Sequence, residues 1–424
     1  MQHVLTVPGD KSITHRVLMI AALSPGPSRI VGALTALDAR STARVLRRLG
    51  TVISPLRAGA AVTVQGGARF SSPRTHLDCG NSGTAARLLL GLLAGHRFEA
   101  TVTGDPSLRS RPMRRVTDPL TTMGATIRGA SSGDRLPLTI RGGELRPLRH
   151  PMTVASAQVK SALLLAGLSG HVPVAVREGG GAASRDHTER LLRAFGFALP
   201  VRDGWIEFDP ASGRLEPFST EVPGDPSSAA FLLAAALLSP PPRKHLRVSG
   251  VALNPTRTGF LAVLQRMGAT VETEERGTVL GEPVGDLVVT PGDLQATDIS
   301  ASEVPGLIDE IPVLAALAAR CHGTTTFHQV GELRVKESDR LGLLATNLQA
   351  LGVEAVAEGD TLRVTGTQGP LKGRIRTADD HRLAMAFGVL GEAPGVDLVV
   401  DNPACAGVSF PGFWKSLSSL GRSG

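Results

Sequence analysis

The feature that most constrains how this chain can fold is a short pattern met six times: Leu, two residues, a large apolar residue, then Gly. The copies run from Leu46 to Gly50, Leu120 to Gly124, Leu192 to Gly196, Leu264 to Gly268, Leu348 to Gly352 and Leu417 to Gly421, and successive glycines lie 74, 72, 72, 84 and 69 residues apart. Self-similarity at a near-fixed period is the mark of a fold assembled from copies of one supersecondary unit. Leu at i and an apolar residue at i+3 share one helix face, and the Gly behind them supplies a left-handed cap that ends the helix. Strand-like alternation follows, as in Ala125-Thr126-Ile127-Arg128 and Ala269-Thr270-Val271-Glu272. The expectation is an α/β protein of six units.

A second repeat divides the six into two threes. Val7-Pro8-Gly9-Asp10-Lys11-Ser12 recurs as Val222-Pro223-Gly224-Asp225-Pro226-Ser227, 215 residues later. In both places the sequence predicts an apolar strand before the turn and a helix after it, and the chain is expected to cross between two similar lobes there. One lobe would hold residues 11–225 and the other 1–10 plus 226–424, with a cleft between them where ligands bind. A continuous solenoid of six units is the alternative. At 424 residues the chain has room for two or three domains with sizeable cores.

Composition matters mainly through charge. Lys and Arg total 45 against 38 acidic residues, a formal net charge of +7, and only six of the 45 are lysines, at 11, 160, 244, 336, 372 and 415. Such a balance suits anionic partners. Nucleic acid is disfavoured as that partner, because the basic residues form no tract and aromatics for base stacking are only 3% of the chain, with no Tyr. Three scattered cysteines, 79, 321 and 405, suit neither a disulfide framework nor a zinc site. With no secretory leader and no run of 18 apolar residues, the expectation is a soluble cytoplasmic protein with no membrane partner.

Several segments place cations at helix entrances, where free N–H groups and the positive end of the helix dipole favour anions. In Lys11-Ser12-Ile13-Thr14-His15-Arg16, Ser12 is the expected N-cap, with Arg16 one turn on. Asp78-Cys79-Gly80-Asn81-Ser82-Gly83 is a turn of small residues that lets backbone approach a ligand. In it Cys79 reads better as a buried small hydrophobe than as a nucleophile, since no base adjoins it. Gly104-Asp105-Pro106-Ser107-Leu108-Arg109-Ser110-Arg111 is expected to be a non-helical loop aiming two guanidinium groups at carboxylate or phosphate. Ser156-Ala157-Gln158-Val159-Lys160 and Ser184-Arg185-Asp186-His187 each offer a capping Ser with a cation within a turn; His187 reads as packed rather than as a base. Asp309 and Glu310 stand at a helix entrance beside apolar residues, where a carboxylate gains base strength. Glu332–Arg340 carries six charges in nine residues, and on one helix Lys336 and Arg340 would share a face. Asp379-Asp380-His381-Arg382 caps an apolar helix. From the residues alone the protein reads as a two-lobed enzyme with a cation-lined cleft for substrates bearing several negative charges.

Taken in order, VPGDKSITHR, DCGNSGTAAR, GDPSLRSRPM, SAQVKSALLLAGL, SRDHTER, VPGDPSSAAF, DEIPVLAALAA, ELRVKESDRL and DDHRLAMAF resemble the 5-enolpyruvylshikimate-3-phosphate synthase family over nearly the whole chain. The forms of ELRVKESDR, SAQVKS and RDHTER are most similar to the bacterial branch that lacks a Tyr in its shikimate pocket. The resemblance implies two lobes, each of three βαβαββ units in an inside-out α/β barrel, with the active site in the cleft. It implies transfer of the enolpyruvyl group of phosphoenolpyruvate to the 5-hydroxyl of shikimate 3-phosphate, by addition and elimination through a tetrahedral intermediate, as a monomer and without cofactor or metal. By the same resemblance Asp309 is the base and Glu337 the acid, with Lys336 as its rival, and Lys11 beside them. Shikimate 3-phosphate would be held by Lys11, Ser12, Arg16, Ser156, Ala157, Gln158, Arg185, Asp309 and Lys336. Phosphoenolpyruvate would be held by Lys11, Asn81, Gly83, Arg111, Gln158, Arg340 and Arg382. Gly83 stands where glyphosate-tolerant members carry Ala, which implies inhibition by glyphosate. Val408 departs from the Lys that many members have there, and His187 from their Tyr. The rival within the fold is a UDP-N-acetylglucosamine enolpyruvyl transferase, whose mobile loop carries a Cys that GDPSLRSRPM lacks.

Overall fold

The computed structural model describes residues 3–67, 70–179, 183–240 and 245–421. Five sheets of four strands and one of two carry the α/β architecture of repeated units expected from the sequence. The plan is clearest in the sheet of Leu77–Asp78, Glu99–Thr103, Arg135–Arg141 and Thr126–Gly129. There Leu77–Asp78 runs parallel to Glu99–Thr103, Glu99–Thr103 antiparallel to Arg135–Arg141, and Arg135–Arg141 antiparallel to Thr126–Gly129. The parallel pair needs a helical crossover and the antiparallel pair only a turn, which is the βαβαββ order. The same strand order recurs in the other four-stranded sheets, while the sixth keeps only its parallel pair, Leu371–Ile375 with Val396–Val400.

Contacts divide the described chain into two units. One comprises Gly9–Val222 with Thr278–Glu282, the other Met1–Pro8, Pro223–Gly277 and Pro283–Gly424. The chain passes from one to the other at the two Val-Pro-Gly-Asp copies because their first strands are exchanged. His3–Thr6 pairs with Leu246–Ala252 of the second unit, and Ser219–Glu221 pairs with Gly26–Val31 of the first. Ser219–Glu221 is polar and mostly exposed, unlike the apolar strand expected there. Thr278–Glu282 is the tip of a hairpin whose strands run on in the second unit, a grouping the repeat does not encode.

Nine helices position the residues of interest: α1 (Lys11–Leu23), α2 (Gly83–Ala94), α3 (Pro106–Ser110), α4 (Ala157–Gly170), α5 (His187–Ala194), α6 (Pro226–Leu238), α7 (Ile311–Ala318), α8 (Arg340–Ala350) and α9 (His381–Leu390). Of these α6 and α7 are buried at every residue, and α1, α2, α4 and α9 at most of theirs. A helix apolar all round must lie inside. The strands, by contrast, alternate buried and exposed, as in Val62–Gly66 and Thr361–Thr365, and so face solvent on one side. Helices within and sheets without is the reverse of the usual layering. The repeat glycines 50, 124, 196, 268 and 352 all take positive φ, as helix-ending caps require.

Close packing of the interior helices leaves little slack. Gly91 of α2 lies against α4 so tightly that a Cβ there would come within 2.0 Å of the Ala162 carbonyl oxygen. Gly91→Ala should therefore cost about 1–3 kcal/mol by overpacking, lowering the first calorimetric transition by roughly 2–4 °C per kcal/mol. An unchanged midpoint would contradict so close an approach of α2 to α4. His15 of α1 is wholly buried, and that burial, with Lys11 and Arg16 nearby, pushes its pKa from 6.5 down to about 3. Below pH 6.5 the unfolded chain takes up a proton that the native state refuses, so this stability is present above pH 6.5 and lost as pH falls toward 3. The loss is on the order of 3–5 kcal/mol at full extent. In urea titrations between pH 7 and 4, His15→Gln should flatten the acid limb of stability; an equally steep limb would refute the assignment.

Candidate active site

In the first unit the entrances of α1, α2 and α4 come together. The cap of α1 is Asp10, not Ser12: its Oδ1 accepts from the Ile13 N–H at 2.7 Å, which sets Lys11 and Ser12 in the first turn. Lys11 is half-buried, with Nζ 3.1 Å from Asp38 Oδ2. Arg16 lies deeper, 2% exposed, donating from Nε to Thr188 Oγ1 (2.7 Å), from Nη1 to the Ser12 carbonyl (2.9 Å) and from Nη2 to Ser161 Oγ (2.6 Å). It thereby ties α1 to α4 and α5. Burial draws its pKa down to about 10 against the pull of Glu189, Asp10 and Glu282, so it stays charged at neutral pH. Ser156 caps α4 by accepting from the Val159 N–H, and Gln158 is fixed from both sides, accepting from Arg87 Nη1 (2.8 Å) and donating to Thr84 Oγ1 (3.0 Å).

The small-residue turn enters α2 with Ser82 as its cap. Asn81 donates to Asp105 Oδ2 (2.7 Å) and accepts from Arg111 Nη2 (2.7 Å). Gly83 sits where a Cβ would come within 2.8 Å of Arg87 Nη1 and 3.1 Å of Arg111 Nη1, so its missing side chain is what admits both guanidinium groups. Contrary to the loop expected there, Pro106–Ser110 is helical. Asp105 caps it by accepting from the Leu108 N–H at 2.7 Å, and Pro106 in the first turn needs no N–H partner. Arg109 is exposed and Arg111 buried. Arg87 and Asp105 thus belong to this cluster, though sequence reasoning left them unassigned. An Asp before Pro is a helix-start signal that could have found the second.

In two of the expected anion-binding segments some of the residues are already engaged within the chain. Lys160 is 1% exposed and lies 2.7 Å from Glu189 Oε1 and 3.1 Å from Glu178 Oε2, a buried ion cluster with its charge already matched. Burial alone would lower the Lys160 pKa, but the two carboxylates raise it. Ser184 caps no helix; it donates to Glu178, and Asp186 is the residue preceding α5. Arg185 stays half-buried in that approach. His187 is fully buried with Nδ1 2.7 Å from Glu282 Oε1, a packed histidine in the hairpin tip's socket.

In the second unit the entrances of α6, α7 and α9 carry carboxylates. Asp225 caps α6 and Asp380 caps α9, while Asp309 and Glu310 lead into α7. Asp309 meets guanidinium groups rather than the apolar surroundings expected of it: Arg340 Nη1 at 3.4 Å and Arg382 Nη2 at 3.7 Å, with Arg382 Nη1 donating to its carbonyl at 2.9 Å. Arg340 is 1% exposed and donates to Asp380 Oδ2 (2.8 Å) and Glu337 Oε2 (2.5 Å). Burial opposes its charge, yet Asp380, Glu337 and Asp309 more than offset this and hold its pKa above the ordinary value. For Asp380 burial acts upward and Arg340 prevails, holding the carboxyl below its usual range. The run 332–340 is not one helix. Gly331–Val335 is a 3-10 turn, and α8 starts afresh at Arg340 behind Asp339, whose side chain caps it, so Lys336 and Arg340 share no helix face. Arg340 and Arg382 are both paired with carboxylates of this unit.

No helix of the described residues is long and apolar enough to cross a membrane, and no cluster of three or more His, Cys, Asp or Glu among them could hold a metal ion. Cys79, Cys321 and Cys405 are free and buried, and burial pushes all three thiols up, away from nucleophilic ionisation. The family model for EPSP synthase (3-phosphoshikimate 1-carboxyvinyltransferase) matches residues 1–417. The 3-phosphoshikimate 1-carboxyvinyltransferase of Thermus thermophilus is 48% identical, covering 98% of this chain and 96% of that protein; that of Chloroflexus aurantiacus is 44% identical, covering 99% and 97%. The EPSP synthase structure from Acinetobacter baumannii superposes with a TM-score of 0.84 at 35% identity, covering 99% of this chain and 96% of that one. The enolpyruvyl transferase NikO from Streptomyces tendae shares the fold, with a TM-score of 0.74 at 19% identity over 99% of this chain and 94% of that one. The chain belongs to the EPSP synthase family, the 3-phosphoshikimate 1-carboxyvinyltransferases.

Proposed function

We propose that this protein transfers the enolpyruvyl group of phosphoenolpyruvate to the 5-hydroxyl of shikimate 3-phosphate, releasing phosphate, as a cytoplasmic monomer. The observation that carries this reading is the gathering of Lys11, Gln158, Asn81, Gly83 and Arg111 at the entrances of buried helices in one unit, and of Asp309, Arg340 and Arg382 at those of the other. Free helix N–H groups and fixed cations bind multiply charged anions without reorganising at the moment of reaction. Lys11, Ser12, Ser156, Ala157, Gln158 and Arg185 hold shikimate 3-phosphate, with Lys336 beside its reacting hydroxyl. Arg16, engaged by three hydrogen bonds, contributes its field and the orientation of α1. Lys11, Asn81, Gly83, Arg111, Gln158, Arg340 and Arg382 hold phosphoenolpyruvate.

In the addition step the phosphoenolpyruvate methylene gains a proton, the neighbouring carbon becomes cationic, and the 5-hydroxyl oxygen attacks it as Asp309 takes the hydroxyl proton. The tetrahedral product then loses phosphate and a methyl proton, leaving the enol ether. Arg340 donates to Glu337 Oε2 at 2.5 Å, so that oxygen is already occupied as a hydrogen-bond acceptor, which favours Lys336 as the proton donor. The UDP-N-acetylglucosamine reading has less behind it. Phosphate release from phosphoenolpyruvate with shikimate 3-phosphate, beside UDP-N-acetylglucosamine as acceptor, separates the two; release with the sugar nucleotide alone would reverse the conclusion.

Asp309→Ala should lower kcat by roughly 10²–10⁴-fold, the usual worth of a general base, while calorimetric binding of shikimate 3-phosphate changes only a few-fold. Near-normal turnover would remove Asp309 from the role. Glyphosate should inhibit in competition with phosphoenolpyruvate, and Gly83→Ala should raise its inhibition constant at least about tenfold, because the added methyl meets the Arg87 and Arg111 guanidinium groups. Full activity of the unaltered chain at glyphosate levels that silence a sensitive control would contradict this.

A further inference from the structure

Glu310 is buried to 0% exposure at the entrance of α7, next to Asp309. Its Oε1 accepts a short hydrogen bond from the Ser227 hydroxyl in the first turn of α6 and lies 3.8 Å from Arg382 Nη1. Its Oε2 is buried and accepts no hydrogen bond from any described residue. Ser227 is itself held by Arg257 Nη2 at 2.8 Å, and Arg257 by Asp225 Oδ1 at 3.1 Å. A line of alternating polarity thus runs from the cap of α6 through Arg257, Ser227 and Glu310 to Arg382. The corresponding entrance in the other unit has Lys11 where Pro226 stands here. One helix start carries a lysine paired with Asp38, and the other receives an internal carboxylate.

Stability gives no reason for this carboxylate. A buried charge with an unsatisfied oxygen is unfavourable, and an apolar residue of similar volume would serve a core better. What it does have is a place beside Arg382. That guanidinium donates to the Asp309 carbonyl, and its counter-charges are the Asp309 carboxylate at 3.7 Å and Glu310 at 3.8 Å. Were Glu310 neutral, Asp309 alone would balance Arg382 at that point and would be drawn toward it, away from the hydroxyl it must deprotonate.

We propose that Glu310 is a positioning residue which, anchored by Ser227, holds Arg382 toward phosphoenolpyruvate and leaves Asp309 available as base. The inference rests on the enolpyruvyl-transfer reading. Glu310→Gln keeps the shape and the hydrogen bond with Ser227 and removes the charge. Steady-state kinetics should show KM for phosphoenolpyruvate rising about tenfold, with KM for shikimate 3-phosphate and the thermal midpoint unchanged. Glu310→Asp should recover part of the loss. In an Arg382→Lys background the Gln substitution should add less than about twofold, since coupled residues are not additive. Ser227→Ala, which removes the anchor and the Arg257 contact but keeps the Glu310 carboxylate, should raise the same KM by a smaller factor and keeps the test available if Glu310→Gln folds poorly. A folded Glu310→Gln enzyme with KM for phosphoenolpyruvate within twofold of wild type, equal rises for both substrates, or full additivity with Arg382→Lys overturns the proposal and leaves the reaction assignment standing. Absence of phosphate release by the wild-type enzyme overturns that assignment and the positioning role with it.

Discussion

Everything in this molecule depends on what satisfies the first turns of helices that are buried almost entirely. A helix start carries four N–H groups with no intrahelical partner and about half a positive charge. On a surface helix water answers both needs. Here α1, α2, α4, α6, α7 and α9 run through the interior, so caps and anions must come from the chain or from a ligand. Asp10, Ser82, Ser156, Asp225 and Asp380 each supply one cap by a side-chain hydrogen bond. What remains of each positive end has a capacity for negative charge from the chain or from a ligand.

The two units spend that capacity differently. In the first, two of the three central helices are capped by neutral hydroxyls, and Lys11, Arg87 and Arg111 stand at the entrances, so the local field invites negative charge from outside. In the second, Asp225, Asp309, Glu310, Glu337 and Asp380 surround Arg257, Arg340 and Arg382, and every one of these arginines has a carboxylate within 4 Å. A guanidinium held in this way is rigid and already desolvated, which favours orientation over raw attraction.

Several misreadings of the sequence share one physical cause. Lys160 looks like an anion-binding cation because its neighbours in sequence are Ser and Gln, yet Glu178 and Glu189, 18 and 29 residues on, already neutralise it. Asp309 looks like a carboxylate in apolar surroundings because Ile311 and Pro312 follow it, yet the atoms near it belong to Arg340 and Arg382. The charged run 332–340 looks like one exposed helix, yet Arg340, behind the new start that Asp339 caps, is held in the interior by Asp380, 40 residues on. In each case the deciding partner is remote in sequence, and electrostatics follows distance in space.

The sequence by itself determined the repeated α/β architecture, the glycine-capped helix ends and the two Val-Pro-Gly-Asp turns, because period, capping and turn chemistry are local properties written within a few residues. It also contained, through the motifs shared with a family, the identities of most residues at the helix entrances. Tertiary structure alone decided which first strand completes which sheet and which cations are already paired. It also decided that Gly83 makes room for two guanidinium groups and that Glu310 stands beside Arg382. Those outcomes turn on approaches of a few ångströms between segments tens to hundreds of residues apart, and no window along the chain encodes them.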